Sequence, residues 1–331
     1  MEYIKVDSMG VQLGDYIPKK IIDFDDLKGK RLAIDGFNAI YQFLSSIRLK
    51  DGSPLTNKRG EITSAYSGIF YKTIMLLEND IIPIWVFDGE PPKLKSKTRE
   101  KRRKLKEEAK EKLKKAEDEE EKAKYYKRLS FVNRDMVENC KYLLNLMGIP
   151  YVQAPSEGEA QASYMAKKGD VWAVVSQDYD SLLYGAPRVV RNLTTTKDSL
   201  ELIELSEVLE SLKISLDDLI DIAILIGTDY NPKGVEGIGF KRAYEMVRAK
   251  VAKDVLKKSV ENYEEIKNLF KNPKVTDDYS LNLRLPDKEG LIKFLVEEHD
   301  FNYERVKKHV DKLYNLIISK TKQKTLDSWF K

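Results

Sequence analysis

Short apolar runs, each leading to an acidic residue, recur through the first half of the chain. Residues 31–34 run into Asp35, residues 81–87 into Asp88, and residues 171–175, through Ser176 and Gln177, into Asp178. Each is short, bounded and rich in branched or aromatic side chains, the pattern of a buried strand. Residues 150–153 and 187–191 add two more candidate strands. Between the runs, apolar positions recur at helical spacing over 39–47, 65–77, 133–147 and 157–168. Strands alternating with helices predict an α/β fold with a mostly parallel central sheet flanked by helices.

The pattern breaks in two places. Of the 36 residues from Lys93 to Arg128, 17 are Lys or Arg and 9 are Asp or Glu, with few apolar positions and no helix breaker. This predicts a helical excursion standing off the core, because it has too little apolar surface to pack inside one. After residue 200 the chain reads as mostly helical. Segments 206–212 and 215–226 each begin with a serine suited to N-capping. A glycine-punctuated turn, Gly234 through Gly237 to Gly239, then leads into a helix from Phe240.

Composition narrows the chemistry. With 331 residues, 42% apolar and 34% charged, the chain can bury a large core beneath a heavily charged surface, and its net charge of +4 permits a nucleic-acid partner without requiring one. The single cysteine, Cys140, falls at helical period with Met136, Val137, Leu143, Leu144 and Met147 and reads as core. Neither an apolar stretch of membrane-spanning length nor a signal pattern is evident, so a soluble, intracellular protein is expected. His299 and His309 are the only histidines, both in a polar C-terminal stretch. Serine–histidine, cysteine–histidine and histidine-rich zinc chemistry are thereby nearly excluded, which leaves carboxylates and lysines to carry any catalysis.

In an open parallel sheet, ligands bind beyond the carboxyl ends of the strands. Asp35, Asp88 and Asp178 fall there, with Asp180 two residues further on and expected to point the same way in an extended segment. Glu157 and Glu159 lie in a turn that opens a helix, and Asp229 follows the apolar run 222–226. Seven acids meeting without a basic residue in the same motifs call for bound cations. Oxygen-only donors favour magnesium, with manganese as a substitute. Two such ions activate a water and stabilise the leaving oxygen of a phosphodiester without histidine.

Five blocks carry a family resemblance: Ala33-Ile-Asp35-Gly, Val86-Phe-Asp88-Gly-Glu-Pro-Pro, Ala154-Pro-Ser-Glu157-Gly-Glu159-Ala-Gln-Ala, Ser176-Gln-Asp178-Tyr-Asp180 and Gly227-Thr-Asp229-Tyr-Asn. In this order they resemble the signature blocks of the flap endonuclease branch of the XPG-like nucleases, archaeal type, over the chain from about Met9. The resemblance implies hydrolysis of branched DNA near a single-strand/duplex junction, removing 5′ flaps in Okazaki fragment maturation and repair, with 5′–3′ exonuclease activity besides. It assigns the seven acids as metal ligands. It also divides the chain into a nuclease domain over 9–310 and a tail over 320–331. Within the domain it marks an N-terminal region (9–92), a helical arch (93–131), an internal region (132–230) and a helical DNA-binding region (231–310).

By the same resemblance Lys95 and Arg102 face the scissile phosphate from one side of an arch helix, Tyr41 stacks on the base beside the cut, and Arg48 contacts phosphate. Gly237, Gly239, Lys241 and Arg242 resemble a helix-two-turn-helix hairpin that grips duplex backbone through main-chain N–H groups. The resemblance also allows a monovalent cation on backbone carbonyls there. Gln323, Leu326, Trp329 and Phe330 fit the pattern of sliding-clamp ligands, so the expected partners are 5′-flap DNA and the clamp PCNA, with no membrane and a monomeric nuclease, in the cytoplasm or nucleoid of an archaeal cell. The family's usual start matches Met9-Gly10-Val11, after eight further residues here. Two other readings are a PIN-like ribonuclease, which lacks the arch, hairpin and tail, and a non-catalytic clamp-recruited scaffold, against which the full set of acids argues.

Overall fold

The computed structural model of the chain describes residues 11, 13–95, 108, 132–194 and 199–329, with side chains described through 321. Seven strands form one mixed sheet: β1 (Lys20–Ile22), β2 (Arg31–Asp35), β3 (Ile82–Phe87), β4 (Tyr151–Gln153), β5 (Ala173–Val175), β6 (Arg188–Arg191) and β7 (Leu200–Glu204), in the order β1-β7-β6-β5-β2-β3-β4. From β4 across to β6 all pairings are parallel, whereas β7 runs antiparallel to β6 and β1 antiparallel to β7.

The central parallel strands β2, β3 and β5 bury both faces, which explains their nearly continuous apolar sequence. Leu32, Ile34, Trp85, Phe87, Ala173 and Val175 point into one core, and the intervening Ala33, Ile84, Val86 and Val174 into the other. The first core is covered by α1 (Gly36–Ser46), α2 (Ser64–Glu78) and α3 (Arg134–Leu146), with Cys140 fully buried, and by the C-terminal α12 (Tyr303–Trp329). The second lies under α4 (Gly158–Lys168), α5 (Asp180–Leu183), α6 (Leu205–Leu212), α7 (Leu216–Ile226), α8 (Phe240–Arg248), α9 (Ala252–Ser259) and α10 (Tyr263–Lys271).

The five expected strands are present within a residue or two of their expected bounds. The sequence reading did not find β1, and it missed β7 by taking the chain after 200 as helical. Both stand at the antiparallel edge, where the alternation in β7 is short and β1 has only three residues. There charge completes the pairing: Lys20 meets Glu204 and Glu207, and Arg191 meets Glu201 at 2.6 Å. Ser215 caps α7 in a reciprocal box with Asp218, but Ser206 is inside α6, whose N-cap is Glu204. His299 is also not the surface residue its polar neighbours suggested. It is buried, donates Nδ1–H to the Phe294 carbonyl at 2.6 Å, and packs edge-on against Tyr66. A short helix, α11 (Lys288–Ile292), precedes it. Of the expected arch, only Lys93–Lys95 is described apart from the isolated residue 108, and it forms a 3₁₀ turn; Arg102 lies outside the described residues. The side chains of Gln323, Leu326, Trp329 and Phe330 lie outside them too. Among the described residues no helix is long and apolar enough to cross a membrane.

One ion pair locks the second layer. On α7, Asp221 has a side chain only 1% exposed, and it accepts from Lys267 Nζ at 2.7 Å and Tyr263 Oη at 2.8 Å, both on α10. Burial pushes the Asp221 carboxyl up, opposed by the bond from Lys267. A buried pair of this kind contributes little over an apolar replacement, yet losing one partner strands a charge. Lys267→Met is therefore expected to cost about 3–5 kcal/mol in urea unfolding, and Asp221→Leu in the same chain to recover most of it. A single variant as stable as the parent would remove this pair from the account.

Candidate metal centre

Strand order places the acids. The chain runs from β2 to β3 and β4 on one side and returns to β5 on the other, so a crevice opens at the carboxyl ends of β2 and β5. Asp35 ends β2 and N-caps α1, accepting the Asn38 N–H at 3.0 Å. Beyond β5, Ser176 Oγ donates to Glu159 at 2.9 Å and to Asp35 at 3.4 Å. Asp178 accepts from Asn38 Nδ2 at 3.0 Å. Asp180 opens α5 and accepts the Val11 N–H at 2.9 Å. Asp88, after β3, takes the Gly158 N–H at 2.6 Å. A Cβ at 158 would lie 2.6 Å from Asp88 Oδ1, so only glycine lets α4 start this close. Glu157 N-caps α4 and Glu159 is in its first turn. Asp229 follows Gly227 in a turn tied by Thr228 Oγ1 to Asn231 Oδ1 at 2.7 Å.

The electrostatics confirm that these acids share one space. Burial raises Asp35 to about 6, and Glu157 adds to it. Asp88 goes up to about 7 by burial and then by Asp35 and Glu157. Burial, Asp180 and Asp35 take Asp178 to about 8, while burial and Asp229 take Asp180 to about 6. Glu159 is pushed well up by burial, Asp180, Asp35 and Asp178. Each of the seven acids thus acts on at least one of the others.

Three expectations need correction. A basic residue does sit in the cluster: Lys95 Nζ bonds Glu157 and lies 3.2 Å from Asp229, over the Tyr230 ring at 5.5 Å. Burial alone would lower its pKa, yet the two carboxylates hold it well above the ordinary value. It reaches them from the 3₁₀ turn, not from an arch helix. Second, Asp178 and Asp180 share the site through a turn entering α5, not through an extended segment, and Glu159 is already helical. Third, among the described residues no three carboxylates close into a cage around one point. Among the described residues this one lysine stands against seven acids, and the acids' donors are all oxygen. That suits a hydrated hard cation reached partly through water better than a tightly chelated one. Sequence reasoning missed Asn38, Ser176 and the Val11 N–H. Asn38, at the third helical position after the capping Asp35, was the one with a signal.

The other expected residues are apart from the acids in role. Tyr41 is half-buried on α1. Arg48 donates to the Ser45 and Gly52 carbonyls at 3.1 and 2.7 Å, closing the loop after α1. Gly237 has φ +72°, Gly239 N-caps α8 with no side-chain bond, and nothing fills the space where either Cβ would stand. Lys241 and Arg242 are exposed on the first turn of α8.

The chain is also similar to known proteins in sequence and fold. Residues 9–109 match the XPG N-terminal domain and residues 148–229 the XPG I-region. The chain is 78% identical over 326 residues to flap endonuclease 1 of Methanocaldococcus jannaschii, spanning 98% of this chain and all of that one. It is 55% identical to flap endonuclease 1 of Pyrococcus furiosus, over 98% of this chain and all of that one. Among solved structures, flap endonuclease-1 from Methanococcus jannaschii superposes with a TM-score of 0.82 at 77% identity, covering 94% of this chain and 100% of that one. The catalytic core of Rad2 in complex with DNA substrate gives 0.68 at 25% identity, covering 92% and 100%. The Holliday junction-resolving enzyme GEN1, in complex with product DNA and Mg2+, gives 0.60 at 20%, covering 91% and 75%, a likeness of fold.

The raised carboxyls fix a sign. Asp35, Asp88, Asp178 and Asp180 bind protons more tightly folded than unfolded, so their contribution is full below the unfolded value of 3.8 and is lost as pH rises through about 6 to 8. The metal-free protein should lose thermal stability between pH 5.5 and 8.5, and magnesium should raise the melting midpoint more at pH 8.5 than at 5.5. Calorimetric scans with EDTA or magnesium check this. An equal magnesium effect at both ends would contradict the protonated cluster.

Proposed function

The chain belongs to the XPG nuclease family, in its archaeal flap endonuclease branch, and we propose that its seven converging carboxylates carry out phosphodiester hydrolysis at a flap junction with Lys95 as their cationic partner. The branch assigns it the work of a structure-specific 5′ nuclease, a DNA hydrolase. The observation that carries the mechanism is the lysine held between Glu157 and Asp229 in a cluster where, among the described residues, acids far outnumber cations.

Asp35, Asp88, Glu157, Glu159, Asp178, Asp180 and Asp229 would hold magnesium, or manganese in its place, as two ions. Bound there, the metal supplies a lowered water pKa and charge stabilisation at the leaving oxygen. The protein's own residues prepare the site. Asn38, Ser176 and the Val11 and Gly158 N–H groups fix the carboxylate rotamers, so little reorganisation remains for the reaction. Lys95 neutralises Glu157 and Asp229 at rest. An arriving phosphodiester competes for that ammonium, which then faces the charge developing on the phosphoryl oxygens. The buried Tyr184–Tyr230 hydroxyl pair, 2.7 Å apart, backs the ring under Lys95.

Around this centre, Arg102 would join Lys95 from an arch over 93–131, and Tyr41 would stack on the base beside the cut. Arg48 is the candidate phosphate contact on α1's trailing loop. The open glycines Gly237 and Gly239, with Lys241 and Arg242, would grip duplex backbone without reading sequence, in a helix-two-turn-helix element whose backbone carbonyls would hold a monovalent cation. The regions 9–92, 93–131, 132–230 and 231–310 are proposed as the working divisions of the nuclease. Gln323, Leu326, Trp329 and Phe330 are proposed as the ligand of a PCNA clamp.

On a 5′-flap duplex, magnesium should support a cut near the junction and EDTA should stop it. Lys95→Ala should slow the single-turnover rate about 100-fold with affinity within a few-fold; a loss confined to affinity would reduce Lys95 to a docking contact. Trp329→Ala combined with Phe330→Ala should leave intrinsic cleavage intact and abolish stimulation by PCNA. Clamp binding that survives both changes would refute the tail assignment.

A further inference from the structure

We propose that Tyr16 is a positioning residue for the cut, through a strut that joins the hairpin helix to the carboxylates of Asp178 and Asp180. The inference rests on the reading of Gly237 to Arg242 as the duplex grip. One end of the strut is at the acids. The Val11 N–H holds Asp180 Oδ1 at 2.9 Å. Gly14 fits against Tyr179, the residue between the two aspartates, so closely that a Cβ there would lie 2.6 Å from the Tyr179 hydroxyl. The Tyr179 ring is also gripped by Arg191 at 4.5 Å and Lys19 at 5.8 Å. The turn bearing Asp178 and Asp180 therefore leans on the segment from Val11 to Lys19.

The other end is at α8. The ring of Tyr16 stacks on that of Phe240 at 4.1 Å and 10°, and Phe240 lies parallel to Tyr244 at 6.3 Å and 4°. Phe240 is the first residue of the helix that Gly239 caps, so the stack bears on the end of α8 that carries the proposed phosphate grip. Between the two ends, Val11, Leu13 and Ile17 are buried in the core, and the Tyr16 N–H bonds the Leu13 carbonyl at 3.0 Å. Tyr16 itself is 40% exposed and adds little to that core. Its one close partner in the ring contacts is Phe240. A duplex seated on the hairpin sets the position of α8, and the Tyr16 ring passes that position to the N–H that orients Asp180.

The test uses the full chain and a fluorescent 5′-flap duplex, with binding measured in EDTA and single-turnover cleavage in magnesium. Tyr16→Ala should lower the cleavage rate about tenfold while flap affinity changes less than twofold and the melting midpoint holds. Tyr16→Phe, which keeps the ring, should restore the parent rate. Combining Tyr16→Ala with Lys241→Ala and Arg242→Ala should give less than the product of the separate rate losses, because both interrupt one connection. An unchanged rate in Tyr16→Ala, a Tyr16→Phe as slow as Tyr16→Ala, or fully multiplicative losses would each overturn the strut. Unchanged flap affinity in Lys241→Ala with Arg242→Ala would instead overturn the hairpin reading beneath it.

Discussion

Repulsion among buried carboxylates is the constraint that the rest of this structure serves. Four aspartates titrate between about 6 and 8 because they are out of water and face one another. A fold does not gather such groups for stability, since each would be better solvated alone. It must force them together with something rigid, and the parallel sheet is that device. Its strands are buried on both faces, so the ends that carry Asp35 and Asp88, and the turn beyond β5 that carries Asp178, cannot separate without opening two cores.

The small residues around the site follow from the same constraint. Gly36, Gly89 and Gly158 sit where a methyl group would strike Phe87, the Ala154 carbonyl or Asp88. They let helix starts and strand ends approach until main-chain N–H groups reach carboxylates. Each such bond favours the charged form and partly offsets the repulsion. Lys95 does so directly, and its burial is tolerable only because Glu157 and Asp229 accompany it. Together these donors offset part of the repulsion that burial imposes on the cluster.

What the sequence made legible follows from locality. An apolar run is a short-range pattern, and the five parallel strands were read from it, with Asp35, Asp88, Asp178 and Asp229 at or after such runs. The antiparallel edge was not, because β1 pairs with a strand some 180 residues away, Lys20 with Leu202, and β7 is a short alternation inside a stretch read as helical. Lys95 was read as an arch residue since its segment is a charge run, and nothing local shows that a 3₁₀ turn redirects it into the cluster. Asn38 and Ser176 were missed for a related reason: each bridges two acids from different elements, so its role exists only after folding. Cys140 went the other way, its core position being fixed by helical period alone.

The distribution of donors also says why this site extends beyond its own motifs. Asp35, Asp88 and Asp178 are oriented from within the sheet and its adjoining helices, by Asn38, Ser176 and Gly158. Asp180 is different, because its N–H donor is Val11, from a segment outside the sheet and 169 residues away in sequence. A carboxylate held by a remote segment responds to whatever moves that segment, whereas one held by its own strand does not. The turn that carries Asp178 and Asp180 thus depends on the N-terminal residues, and Tyr16 among them is stacked on the helix that follows the open glycines. A nuclease that must cut only where duplex meets single strand needs such a dependence, since seven acids fixed wholly by the sheet would have no means of sensing the duplex.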